Sequence, residues 1–164
     1  MLGVAVLLTA PAFGGEPTAA DRKEAKRFYA EARKLHSEGK LDEAVERFRR
    51  AAELAPTPVT RLEWARGLAE QSKLVEARAL ALSIPAMPVT ATETVKSKQA
   101  RREAEALGKE LGERIPTVTL VLGPQAGQEV AIDGKPVSKE LLSAAIALDP
   151  GDHVASVRVG DKTV

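Results

Sequence analysis

Apolar and small residues recur at helical spacing through the first two thirds of the chain. Phe28, Ala32 and Leu35 fall on one stripe, Gly39 interrupts it, and Leu41, Ala44, Phe48 and Ala51 resume it until Pro56. This predicts a helical hairpin over residues 18–54, with Gly39 at a left-handed turn and Pro56 ending the second helix. Thr18 and Asp21 have the spacing of a capping box at its start. Glu43 before Arg47 and Glu46 before Arg50 predict ion pairs on the solvent face. A second hairpin is read from Trp64, Ala65 and Leu68, then Leu74 and Ala77, with Ala81 where the first hairpin has a large aromatic. Pro85 and Pro88 close it. Thr90 and Glu93 predict the cap of a further helix, whose apolar face is Ala100, Ala104, Leu107, Leu111 and Ile115. Glu105 with Lys109 and Glu110 with Arg114 line its wet side. Gly108 and Gly112 lie among these charges, so they predict close packing on the preceding helices and not a membrane dimer.

At Pro116 the period changes from helical to alternating. Residues 117–122 read as a strand, and Gly123, Pro124 and Gly127 as a turn. Val130 and Ile132 predict a second strand that ends in an Asp133-Gly134 turn. Residues 138–145 read as a short helix or an irregular crossover. Pro150 and Gly151 lead into a strand containing Val154, Val157 and Val159, with a turn at Gly160 and Asp161. The expected fold class is therefore α+β. Helical-repeat hairpins with a capping helix occupy residues 18–115, and a small antiparallel, sandwich-like β module, incomplete at its carboxyl end, occupies residues 116–164.

The spacing of Ala25, Phe28, Ala32, Leu35, Gly39, Leu41, Ala44, Phe48, Ala51 and Pro56 resembles one unit of the tetratricopeptide family, and a degenerate second unit starts at Pro58. The resemblance implies a binding scaffold whose inner surface is lined by the first helix of each unit. By that register Lys26, Tyr29, Arg33 and Arg66 are the expected partner-binding residues. A basic lining with one aromatic favours an acidic segment or a chain terminus as partner. In the tail, Val130, Ile132, Asp133, Gly134, Val137, Leu148, Pro150, Gly151, His153 and Val154 resemble a PEGA-type β module. Helical repeats followed by such a module look like envelope proteins of some Gram-negative bacteria, which implies a periplasmic or cell-surface role.

Residues 1–15 read as a secretory signal peptide: an apolar run at residues 2–13 is followed by Gly14 and Gly15. No Lys or Arg precedes the run, and an apolar tail packed on the first helix is the other reading. The run is too short to span a bilayer, which takes about 20 residues. A net charge of +1 offers nucleic acid no electrostatic footprint, and three Phe, one Tyr and one Trp leave little to stack bases on. With no cysteine there are no disulfides, thiolate metal sites or thiol nucleophiles. Asp149, Asp152, His153 and Ser156 have the residue types of a nucleophilic triad, but they crowd on one turn and strand without a nucleophile elbow or oxyanion donors. His36 near a helix end is read as complementing the helix dipole. No catalytic residue, metal site or cofactor is assigned. The expected function is a protein-binding scaffold acting through the repeats; the alternative is a surface-attachment β module that the helices space.

Overall fold

A computed structural model of the protein describes residues 16–91, 93–122, 128–159 and 162–163. The expected leader at residues 1–15 and the turns at Gly123, Pro124, Gly127, Gly160 and Asp161 lie outside the described residues. The class is α+β. Five helices come first: α1 (Ala19–Ser37), α2 (Leu41–Leu54), α3 (Pro58–Glu70), α4 (Leu74–Ser83) and α5 (Val95–Arg114). They form two hairpins, α1 with α2 and α3 with α4, and α5 packs on both α3 and α4.

The two hairpins are built alike. Ala32 and Ala44 are fully buried where α1 and α2 meet, and Ala65 and Ala77 are fully buried at the matching places of α3 and α4. Methyl-sized side chains let the backbones approach within each hairpin, and between the hairpins Gly67 of α3 does the same: a Cβ there would stand 2.6 Å from Val45 Cγ2 of α2. The inter-helix turns also correspond, Gly39 at φ 74 in the first and Ser72 at φ 62 in the second. Glycine takes that left-handed conformation freely; serine does so at a cost. Phe48 is buried beside the alanines of the first hairpin, and Tyr29 meets it edge-on with centroids 5.7 Å apart. Phe28 is only half-buried, between Arg27 at 4.8 Å and Arg47 at 5.5 Å. The core continues from Val45, Leu68 and Leu74 to Leu111 of α5, and through Leu62 and Ile84 to Ala100 and Ala104.

Caps set the helix starts. Thr18 and Asp21 form the expected capping box, and Thr57 with Thr60 forms another, ahead of Pro58 in the first turn of α3. The cap expected at Thr90 and Glu93 is displaced. Helix α5 starts at Val95, and Thr94 accepts the Ser97 N–H at 3.1 Å. Glu93 is instead drawn to Arg101 at 2.7 Å, and the same guanidinium donates to the carbonyls of Ile84, Met87 and Pro88 at 2.8 to 3.0 Å and of Pro85 at 3.1 Å. One side chain thus ties down the α4–α5 connection. Of the expected surface pairs, Glu46–Arg50, Glu105–Lys109 and Glu110–Arg114 form, whereas Arg47 reaches back to Glu31 of α1 rather than to Glu43. Gly108 and Gly112 do mark a close approach: added Cβ atoms would meet Leu82 at 2.5 Å and Arg78 at 3.0 Å.

Beyond α5 stand β1 (Thr117–Val118), β2 (Gln128–Ile132), β3 (Lys135–Pro136), α6 (Lys139–Leu142), β4 (Ile146–Ala147), β5 (Ala155–Val159) and β6 (Lys162–Thr163). All pairing is antiparallel, in a two-stranded sheet β1-β4 and a four-stranded sheet of order β3-β2-β5-β6. The strand expected over residues 117–122 shortens to β1, because its partner β4 is equally short; Val121 is 94% exposed. Asp133 and Gly134, at φ 50 and 74, make the expected tight turn from β2 to β3. Strand β5 begins at Ala155, not at Val154, whose N–H and carbonyl are both taken by Asp133. Among the described residues of this half only Val130 and Ile132 are buried hydrophobics.

Candidate functional site

The four residues expected to bind a partner lie on α1 and α3, and the structure distributes them over two adjoining cavities. The larger, of about 560 Å³, is lined by Ala25, Lys26 and Tyr29 of α1, by Ala55 and Pro56 of the α2–α3 connection, and by Val59 of α3. Ala25, Tyr29, Ala55, Pro56 and Val59 give it an apolar floor. Arg22 and Lys26, both exposed and one helical turn apart, stand on its rim, and Glu16 also lines it. The smaller, of about 240 Å³, is polar and holds Arg33 and Arg66 together with His36, Glu63 and Glu70 around Phe48. Tyr29, on the first cavity, packs against Phe48, on the second.

Electrostatically the two arginines differ. Arg66 is held by Glu63 at 2.8 Å and by Glu103 of α5 at 2.7 Å. Partial burial works against its charge, but the two carboxylates outweigh this and keep it above its usual value. Arg33 is exposed. Burial raises the Tyr29 phenol above its usual range and Glu63 adds to the effect, while Arg33 and Arg66 oppose it, so these four groups share one field. The basic lining with one aromatic expected from sequence is thus a mixed one: among the described residues Arg22, Lys26 and Arg33 have no ion-pair partner, and Glu63 and Glu70 stand beside the arginines.

His36 does more than complement a dipole. Its Nε2 lies 2.7 Å from Glu70 Oε2, joining the last turn of α1 to the last turn of α3. Sequence reasoning missed this pair, the rim position of Arg22 and the Glu103 partner of Arg66. Local spacing carries no signal for any contact made between helices, although the register that placed Lys26 and Tyr29 also puts Arg22 one turn earlier.

The turn ahead of β5 has a different geometry from a triad. His153 Nδ1 is 2.6 Å from Asp133 Oδ2 and its Nε2 is 2.6 Å from the Asp149 carbonyl. Both ring nitrogens are directed at these two acceptors and neither at Ser156. Among the described residues no group of three or more His, Cys, Asp or Glu could hold a metal ion, and no helix is long and apolar enough to cross a membrane. Comparison with protein families, with curated proteins and with solved structures finds no match for this chain.

Proposed function

We propose that this protein is a non-enzymatic binding scaffold of tetratricopeptide type, which takes an acidic peptide segment or a free chain terminus into the cavity between α1 and α3. The observation that carries this reading is the pairing of chemistries in one concave place. An apolar floor of Ala25, Tyr29, Ala55 and Val59 suits one apolar side chain, and Arg22 and Lys26 at its rim suit carboxylates. Arg33 extends the positive rim toward the second cavity, while Arg66, already neutralised by Glu63 and Glu103, acts as a structural strut rather than a contact. The likeness of the hairpins, with alanines and left-handed turns at matching places, supports a repeat scaffold, and the PEGA-like tail is what ties the reading to a cell envelope.

The test is fluorescence anisotropy with three labelled peptides of one apolar sequence: one ending in acidic residues with a free carboxylate, its amidated form, and a form with lysines for the acids. The first should bind best, and salt should weaken it because the rim charges are exposed. The double change Arg22→Glu with Lys26→Glu should reduce that affinity about tenfold or more, equivalent to about 1.4 kcal/mol, with the helical circular dichroism unchanged. Equal binding of all three peptides, or a folded double variant of unchanged affinity, would overturn the reading.

A further inference from the structure

Among the described residues, one hydrogen bond joins the β half to the helices. Helix α4 starts after Lys73, which offers no side-chain acceptor to the helix's free N–H groups. Asp149, on the turn between β4 and β5, supplies it from a distance: its carboxylate accepts the Val75 N–H at 2.8 Å. The same residue's carbonyl faces His153 Nε2 at 2.6 Å, while His153 Nδ1 faces Asp133 Oδ2 at 2.6 Å. The other oxygen of Asp133 accepts the Val154 N–H at 2.9 Å. A continuous chain of polar contacts therefore runs from the β2–β3 turn through the imidazole to the first turn of α4.

Both partners of the imidazole are acceptors. A carboxylate and a carbonyl can each be satisfied only if each ring nitrogen carries a proton, which is the imidazolium form; the neutral ring has a single N–H. We propose that His153 is a proton-operated latch: protonated, it holds the Asp149 turn in place to cap α4, and deprotonated, it releases that turn and with it the β half. On losing a proton the ring keeps its remaining N–H on the charged Asp133 acceptor, the stronger of the two. Nε2 then opposes the Asp149 carbonyl lone pair to lone pair, the turn moves, and the Val75 N–H loses its carboxylate.

The surrounding charges set the range. Asp133 and Asp149 act directly on the ring, and Asp152 stands on the same turn. Lys135 follows the Asp133-Gly134 turn, and α4 brings Lys73 and Glu76 to its first turn. The hydrogen bond that the ring donates to Asp133, then the one it donates to the Asp149 carbonyl, raise His153 above its ordinary 6.5. The contribution of a group raised in this way is complete below its unfolded value and is lost as pH rises through the folded one. Asp133 is lowered below its ordinary 3.8, by the Val154 N–H first and by His153 next, so its share is lost as pH falls through that lowered value. The latch is therefore closed between the lowered value of Asp133 and the raised value of His153, and opens on both sides of that window.

The decisive measurement is an NMR titration of the full chain between about pH 5 and 9, following the His153 ring and the Val75 amide together. One shared midpoint above 6.5 is expected. The Val75 transition should vanish in His153→Gln and persist in His36→Gln. A Val75 amide that does not move, or that follows a midpoint different from His153's in the unsubstituted protein, would overturn the proposal whether or not the His153→Gln variant folds.

Discussion

Arg101 ties a whole inter-helix connection together. Its guanidinium side chain is 13% exposed and its partner Glu93 only 8%, and it satisfies four carbonyls of a connection that has no secondary structure to satisfy them. Replacing it removes those donors and leaves the Glu93 carboxylate without its cation. A fully buried pair broken from one side costs about 3 to 5 kcal/mol; this one is partly exposed, so Arg101→Met should cost less than that but lower the urea midpoint clearly. Glu93→Gln should cost less, because the Arg101 guanidinium, although it loses its carboxylate, keeps the four carbonyls it donates to. Equal, small effects of the two substitutions would show that the pair is not what holds the connection. At this scale sequence reading was half right: Glu93 was recognised as a residue near a helix start, but its role as a cap was excluded by a partner eight residues away.

At the scale of elements, the fold rests on alanines. Ala44 is fully buried at the α1–α2 contact, as Ala77 is at α3–α4. Ala44→Arg forces volume and charge into a gap sized for a methyl group; overpacking alone costs about 1 to 3 kcal/mol, and the buried charge adds to it. Against a domain stability of about 5 to 15 kcal/mol, the melting temperature should fall steeply. Glu43→Arg, on the exposed neighbouring position, should leave it nearly unchanged. A melting curve for Ala44→Arg that overlays the parent would show that the hairpin packs in another register. The helices were legible because a 3.6-residue period and small-residue spacing are local properties, repeated along many residues. Strands β2 and β5 were legible too, from the alternation at Val130 and Ile132 and at Val157 and Val159; the first strand was not. Residues 117–122 alternate well, yet pairing needs a partner of matching length, and β4 offers two residues.

For the whole molecule, the two halves differ in how much core they own. The helices bury Phe48, Leu62, Leu68, Leu74, Ile84 and Leu111. The described part of the β half buries Val130 and Ile132 and leaves Val118, Val121 and Val154 exposed. A chain of that size sits below the roughly 60 residues at which a core becomes sufficient. A fragment starting at Pro116 should therefore show poor amide dispersion and associate through its short, open edges. A sharp cooperative melt of the fragment alone would contradict this.

Read alone, the sequence determined the succession of helical hairpins, the capping box at Thr18, the left-handed turn at Gly39, the Asp133-Gly134 turn and the change to strands after Pro116. Each of these follows from interactions between residues a few positions apart, so the local pattern contains them. Lys26 and Tyr29 were placed on one face by the resemblance to a repeat family, not by the local pattern. Only the tertiary structure decided that Lys26 and Tyr29 share a cavity with Arg22, and that Arg66 is neutralised by Glu103. It alone decided that Asp149 caps α4 and that His153 bridges two acceptors. Those contacts join residues far apart in the chain, and no periodicity records which distant side chain the folded backbone will bring within hydrogen-bond reach.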